Sequence, residues 1–99
     1  MIKLRDDLDA EAFRLARKQE VANRLKRVEG QVRGVLGMIE RDAPCDAVAQ
    51  QLAAARKALD RAFYEMLACS LESGLADADD AAKQHQVIQD TTRLLAKYA

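Results

Sequence analysis

Cys45 and Cys69 are the only two thiols in the chain, and their spacing restricts what they can do. Both fall at seam positions of what reads as one helix, 24 residues apart, or ~36 Å at 1.5 Å rise per residue. A disulfide needs Cα atoms ~4.4–6.8 Å apart, so the two cannot meet within one chain. Pairing that helix antiparallel with its own copy changes this. A two-fold axis at residue 57 sets Ala55 opposite Leu59, Leu52 opposite Ala62, Val48 opposite Met66, and Cys45 opposite Cys69 of the second copy. Cys45 also opens the helix, where the positive end of the dipole favours a thiolate. Three roles fit such a pair: a thiol-based sensor, a two-thiolate site for a soft metal such as Cu(I), or two small core hydrophobes. A structural zinc site wants four Cys or His ligands, and only His85 is available besides the two thiols.

The second chemical feature is charge. Lys+Arg 16 balance Asp+Glu 16 over the chain. Residues 12–43 nevertheless carry Arg14, Arg17, Lys18, Arg24, Lys26, Arg27, Arg33 and Arg41 against Glu20, Glu29, Glu40 and Asp42, a net of plus four. A solvated helix face accounts for this. So does a basic stripe that grips phosphate, because clustering matters more than total charge for an electrostatic footprint.

Three helices must position these groups. Val21, Leu25, Val28, Val32, Val35 and Ile39 repeat at 4-3-4-3-4, the seam of a helix packed lengthwise on another. Gly30, Gly34 and Gly37 sit off that seam and read as places of close approach by a backbone or ligand, or as weak points. Asp42-Ala43-Pro44 ends the first helix and starts the second, since Pro is tolerated in a first turn. The second seam is Cys45, Val48, Leu52, Ala55, Leu59, Ala62, Met66 and Cys69, with a stop expected at Ser73-Gly74. Asp77-Ala78-Asp79-Asp80 suits the start of a third helix, which is expected to bury Ala81, His85, Ile88, Leu95 and Tyr98. The short third helix cannot cover two seams, each on a helix of ~28 residues and ~42 Å. The fold expected is all-α: three helices per protomer in an antiparallel four-helix-bundle dimer.

Composition excludes several classes. Four Gly and one Pro leave little turn material for a sheet. No apolar run reaches the ~18 residues of a membrane span, and the charged start lacks a signal-peptide apolar stretch. A cytoplasmic chain without membrane attachment is expected. Glycine-rich phosphate loops, a Ser/His/Asp set and paired-His metal motifs are all missing, so neither an enzyme nor a resident cofactor is expected.

The run Arg24-Leu25-Lys26-Arg27-Val28-Glu29-Gly30-Gln31-Val32-Arg33-Gly34 resembles the signature of the CsoR/RcnR/FrmR repressors. Pro44-Cys45, Gln50-Gln51-Leu52-Ala53-Ala54-Ala55-Arg56 and Glu65-Met66-Leu67 are similar too. The resemblance spans residues 14–98, leaving 1–13 as an N-terminal arm ahead of a DNA-binding and sensing domain over 14–99. It implies an all-helical dimer that pairs into a tetramer, represses transcription without a helix-turn-helix and leaves DNA when an effector acts at an inter-protomer cysteine site. Carried over by position, Arg24, Arg27, Arg33 and, on the second helix, Arg61 are the DNA-contact candidates, and their phosphate contacts imply salt-sensitive binding to a double-stranded operator.

Departures from the family pattern concern the effector. In its copper and nickel sensors, a Cys matching Cys45 joins two ligands on the second helix of the other protomer, and those positions are Ser70 and Gly74 here. The N-terminal group used by nickel and formaldehyde sensors falls at Ala12–Phe13, neither of which is a ligand. Pro44 stands where copper sensors tend to carry Tyr. Cys45 with Cys69 of a second copy remains, analogous in chemistry, though not in position, to the two-cysteine persulfide sensors of the family. The expected effector is therefore sulfane sulfur or another thiol oxidant, with Cu(I) or formaldehyde as the alternative.

Overall fold

The computed structural model describes the backbone of residues 2–99 and the side chains of residues 9–99. It contains α1 (Ile2–Glu40), α2 (Cys45–Asp77) and α3 (Ala81–Tyr98), and no strand among the described residues. α1 runs without a break from Ile2 into the stretch that carries its seam.

The corner between α1 and α2 is built by local hydrogen bonds. The Ala43 amide donates to the Met38 carbonyl at 2.9 Å and the Asp42 amide to that of Ile39 at 3.1 Å. This is the 6→1 and 5→2 pair of a Schellman motif, which needs a left-handed residue between. Asp42 supplies it at φ 57°, as a short polar side chain tolerates better than a branched one. Pro44 then caps α2 at φ −56° and ψ 140°, and its carbonyl receives the Val48 amide at 3.1 Å.

Turned back by this corner, α2 lies antiparallel on α1. Arg17 meets Glu72, and Arg24 meets Glu65. That register sets Val21 level with Cys69, Val28 with Ala62 and Val35 with Ala55, and these six are the buried apolar residues among those described. Valine on one helix faces alanine or cysteine on the other, so the helices approach closely without a large side chain between them.

Each heptad seam therefore divides into two stripes. The inner stripes are the six buried residues. The outer ones, Leu25, Val32 and Ile39 on α1 and Leu52, Leu59 and Met66 on α2, remain 41–57% exposed. The protomer is a flat hairpin of 61 × 28 × 12 Å with a radius of gyration of 18.5 Å, against ~13 Å for a compact chain of this length.

Two expectations need correction at the C-terminal end. Gly74 does not stop α2, which continues to Asp77. Instead α3 docks there: a Cβ on Gly74 would lie 2.6 Å from Val87 Cγ1. The residues expected to be buried on α3 are not buried, and Ala81, His85, Ile88, Leu95 and Tyr98 are all exposed. Val87 and Thr91, half-buried, are closest to the core instead. The reason is that, among the described residues, α3 packs on α2 and not on α1, so most of its apolar face has no partner there. The acidic stretch does start the helix as expected, with Asp80 accepting from the Lys83 amide at 2.8 Å.

Candidate functional site

Cys45 and Cys69 occupy different stripes of α2. Cys45 is exposed, the first residue of the helix. It borders a mostly apolar depression of about 260 Å³ lined by Ile39, Ala43, Val48, Ala49 and Leu52 together with Asp42. Cys69 is 4% exposed on the inner stripe, with Sγ 3.9 Å from Ser73 Oγ. A second cavity of about 520 Å³, shared with Phe13, Arg14 and Glu72, opens beside it. The 3-4 spacing places both thiols on one seam, but α1 covers the half of that seam carrying Cys69 and leaves the half carrying Cys45 open.

The four arginine candidates also separate. Arg27 is exposed and has no ion-pair partner among the described residues. Arg33 is exposed and pairs within its own helix with Glu29 at 3.3 Å, a contact worth ~0.3–0.5 kcal/mol. Arg61 is 71% exposed and lies 3.7 Å from Glu65 Oε1 through Nε. Arg24 is different. Its side chain is 25% exposed, and Nη2 sits 2.9 Å from the same Glu65 oxygen.

Sequence reasoning missed the interhelical charge ladder. Arg17 and Arg24 are seven residues apart on α1, and Glu65 and Glu72 seven apart on α2, a mirrored spacing that an antiparallel register brings together. The two rungs are unequal. Arg17 Nη2 donates to both Glu72 oxygens, at 2.9 and 3.1 Å. In the other rung, Arg24 Nε and Glu65 Oε2 are buried with no hydrogen-bond partner. Leaving such groups unmatched costs about 1–3 kcal/mol each.

No group of three or more His, Cys, Asp or Glu side chains among the described residues is placed to hold a metal ion. Of the two α2 positions that the resemblance assigns to copper and nickel ligands, Ser70 offers only an exposed hydroxyl and Gly74 is taken up by Val87. These residues do not fit a three-ligand copper or nickel site.

An all-helical hairpin with a net-positive 12–43 segment and an exposed thiol at its corner defines a structural class, and the fold alone does not assign it a function. Similarity to known proteins narrows the class. Residues 17–97 match the family described as metal-sensitive transcriptional repressor. The copper-sensing transcriptional repressor CsoR of Bacillus subtilis is 32% identical over 81 residues, covering 82% of this chain and 80% of that one. Among solved structures, a variant of the formaldehyde-responsive regulator FrmR from Salmonella enterica serovar Typhimurium superposes with a TM-score of 0.71 at 27% identity, covering 85% of this chain and 96% of that one. The nickel-responsive transcriptional regulator InrS gives 0.69 at 32% identity over 82% and 91%. The chain belongs to the CsoR family of transcriptional repressors. Its relatives regulate transcription and are not enzymes, and no helix among the described residues is long and apolar enough to cross a membrane.

Proposed function

We propose that this repressor leaves its operator when a thiol-reactive effector, sulfane sulfur above all, modifies Cys45. The observation that carries the proposal is the exposure of Cys45 on the open apolar stripe, together with non-ligating residues at 70 and 74. A second copy covers the outer stripes of both helices, as an antiparallel four-helix-bundle dimer that assembles further into a tetramer. The Cys45 thiolate takes the sulfane sulfur of a persulfide RS–SH and releases RSH, forming Cys45–S–SH. The Cys69 thiol of the second copy then attacks the inner sulfur, giving a Cys45–Cys69 disulfide and H₂S. Because Cys69 lies under α1 in the protomer, this second step requires the helices to part, and that displacement is what loosens the grip on DNA.

Arg24, Arg27, Arg33 and Arg61 supply the phosphate contacts, supported by the net-positive 12–43 segment and the exposure of three of the four. Cu(I) held between the same two thiolates is the competing reading, favoured by the copper-sensing relative. Formaldehyde comes next, through the regulator that shares this fold. Fluorescence anisotropy on duplex DNA from upstream of the gene separates them. Reduced protein should bind, lose affinity on addition of a polysulfide donor, and regain it with a thiol reductant. Cys45→Ala should bind equally well and ignore the donor. Release of Cys45→Ala by the donor refutes the proposal, and release of wild type by Cu(I) or formaldehyde alone transfers the role to that effector.

A further inference from the structure

Glu65 has been given no function so far, although it touches two of the arginine candidates. Its Oε1 is 2.9 Å from Arg24 Nη2 and 3.7 Å from Arg61 Nε, which bridges α1 and α2 through one oxygen. The carboxylate is 18% exposed, so the pairing is screened less than the surface pairs at Glu29 or Asp79. It is also poorly made. Arg24 reaches one oxygen only, while Oε2 and Arg24 Nε stay buried and unpartnered. The rung seven residues away, where Arg17 holds both oxygens of Glu72, shows what a satisfied pair looks like in the same seam. A phosphate can accept two parallel hydrogen bonds from one guanidinium, a pairing that Glu65 does not give Arg24 here.

We propose that Glu65 is an internal competitor of the DNA phosphate: it holds Arg24 and Arg61 in the free protein and must surrender them on binding, so it limits duplex affinity. The proposal rests on the reading that Arg24 and Arg61 contact DNA. Glu72 is the built-in control, because Arg17 is not among the DNA-contact residues.

The experiment measures anisotropy of the full-length protein on a labelled random-sequence duplex over a range of salt, since phosphate competition does not depend on sequence. Glu65→Gln should tighten binding by about three- to ten-fold at low salt and steepen the fall of affinity with salt, as further phosphate contacts do. Glu72→Gln should change neither. Equal or weaker binding by a folded Glu65→Gln variant overturns the proposal, the weaker result assigning Glu65 to positioning the arginines instead. Arg24→Ala and Arg61→Ala on the same duplex keep the two levels apart: if neither weakens binding, the DNA-contact reading fails, and if both do while Glu65→Gln does not tighten, only the competitor fails. Should Glu65→Gln prove unfolded by circular dichroism, the wild type answers through the Glu65 carboxyl carbon, followed by carbon-13 NMR. Its resonance should move on saturation with duplex while that of Glu72 stays, and a static Glu65 resonance refutes the idea.

Discussion

The inner and outer stripes of α2 are built from the same heptad but do opposite things. Inside, Ala55, Ala62 and Cys69 are small and meet Val21, Val28 and Val35, so exposure falls to 3–6% with no large side chain. Outside, Leu52, Leu59 and Met66 have greater apolar bulk, and with Cys45 they have no cover. Small residues let two helices of one chain close locally, across a tight corner. Bulk is kept for the surface that, in the proposed assembly, a second copy reaches. Cys45 lies on the open stripe, where an effector can reach it, and in the proposed mechanism its crosslink to the buried Cys69 of a second copy is what parts the hairpin.

Three substitutions test that contrast. The largest effect is expected for Val28→Asp, which places an unpaired carboxylate at the centre of the inner stripe. It should cost upwards of ~3 kcal/mol and abolish the cooperative thermal transition seen by circular dichroism. A variant that melts within a few degrees of wild type would show that the inner stripe does not carry the fold.

Gly74→Ala comes next. Alanine gains up to ~1 kcal/mol of helix propensity over glycine, yet its Cβ meets Val87 at 2.6 Å, an overpacking cost of roughly 1–3 kcal/mol. The expected result is loss of α3 docking with α1 and α2 intact, read as faster amide exchange confined to residues 81–98. Val87→Ala in the same chain should restore protection. Unchanged exchange in the single variant would show that α3 does not depend on this contact.

Leu59→Glu should have the smallest effect on protomer stability, within about 0.5 kcal/mol as for other exposed positions. It would nevertheless put like charges near a proposed two-fold, and sedimentation should report a smaller assembly than wild type. An unchanged assembly would remove the outer stripe of α2 from the interface and sharpen attention on α1 and α3.

Much of the architecture was legible in the residues. The 4-3 spacing on α1 and α2, the Asp42-Ala43-Pro44 corner and the acidic start of α3 are local signals, and each lies within or at the start of an element that formed, although α1 and α2 both extend beyond theirs. Gly74 misled because a glycine after a helical run resembles a stop, whereas here the missing side chain admits Val87. The apolar pattern of α3 misled for a related reason: periodicity shows that a face is apolar but not whether anything in the protomer covers it. Gly30 and Gly34 likewise have nothing within 4 Å of where a Cβ would stand, so the close approach that glycine hinted at there is not made within the chain.

The division of labour follows from what is local. Helix identity, the basic character of residues 12–43 and the presence of two thiols on one helix are properties of residue type and spacing, and the order of residues alone settles them. Which half of a seam is inside depends on the register in which α2 lies against α1, a relation between residues as far apart as Arg17 and Glu72, 55 positions along the chain. Only that register buried Cys69, exposed Cys45 and brought Glu65 against Arg24. A heptad seam alternates between two neighbouring stripes, at steps of three and four residues on either side of the 3.6-residue turn. Both stripes are apolar, so composition cannot rank them, and packing against a particular neighbour makes the choice.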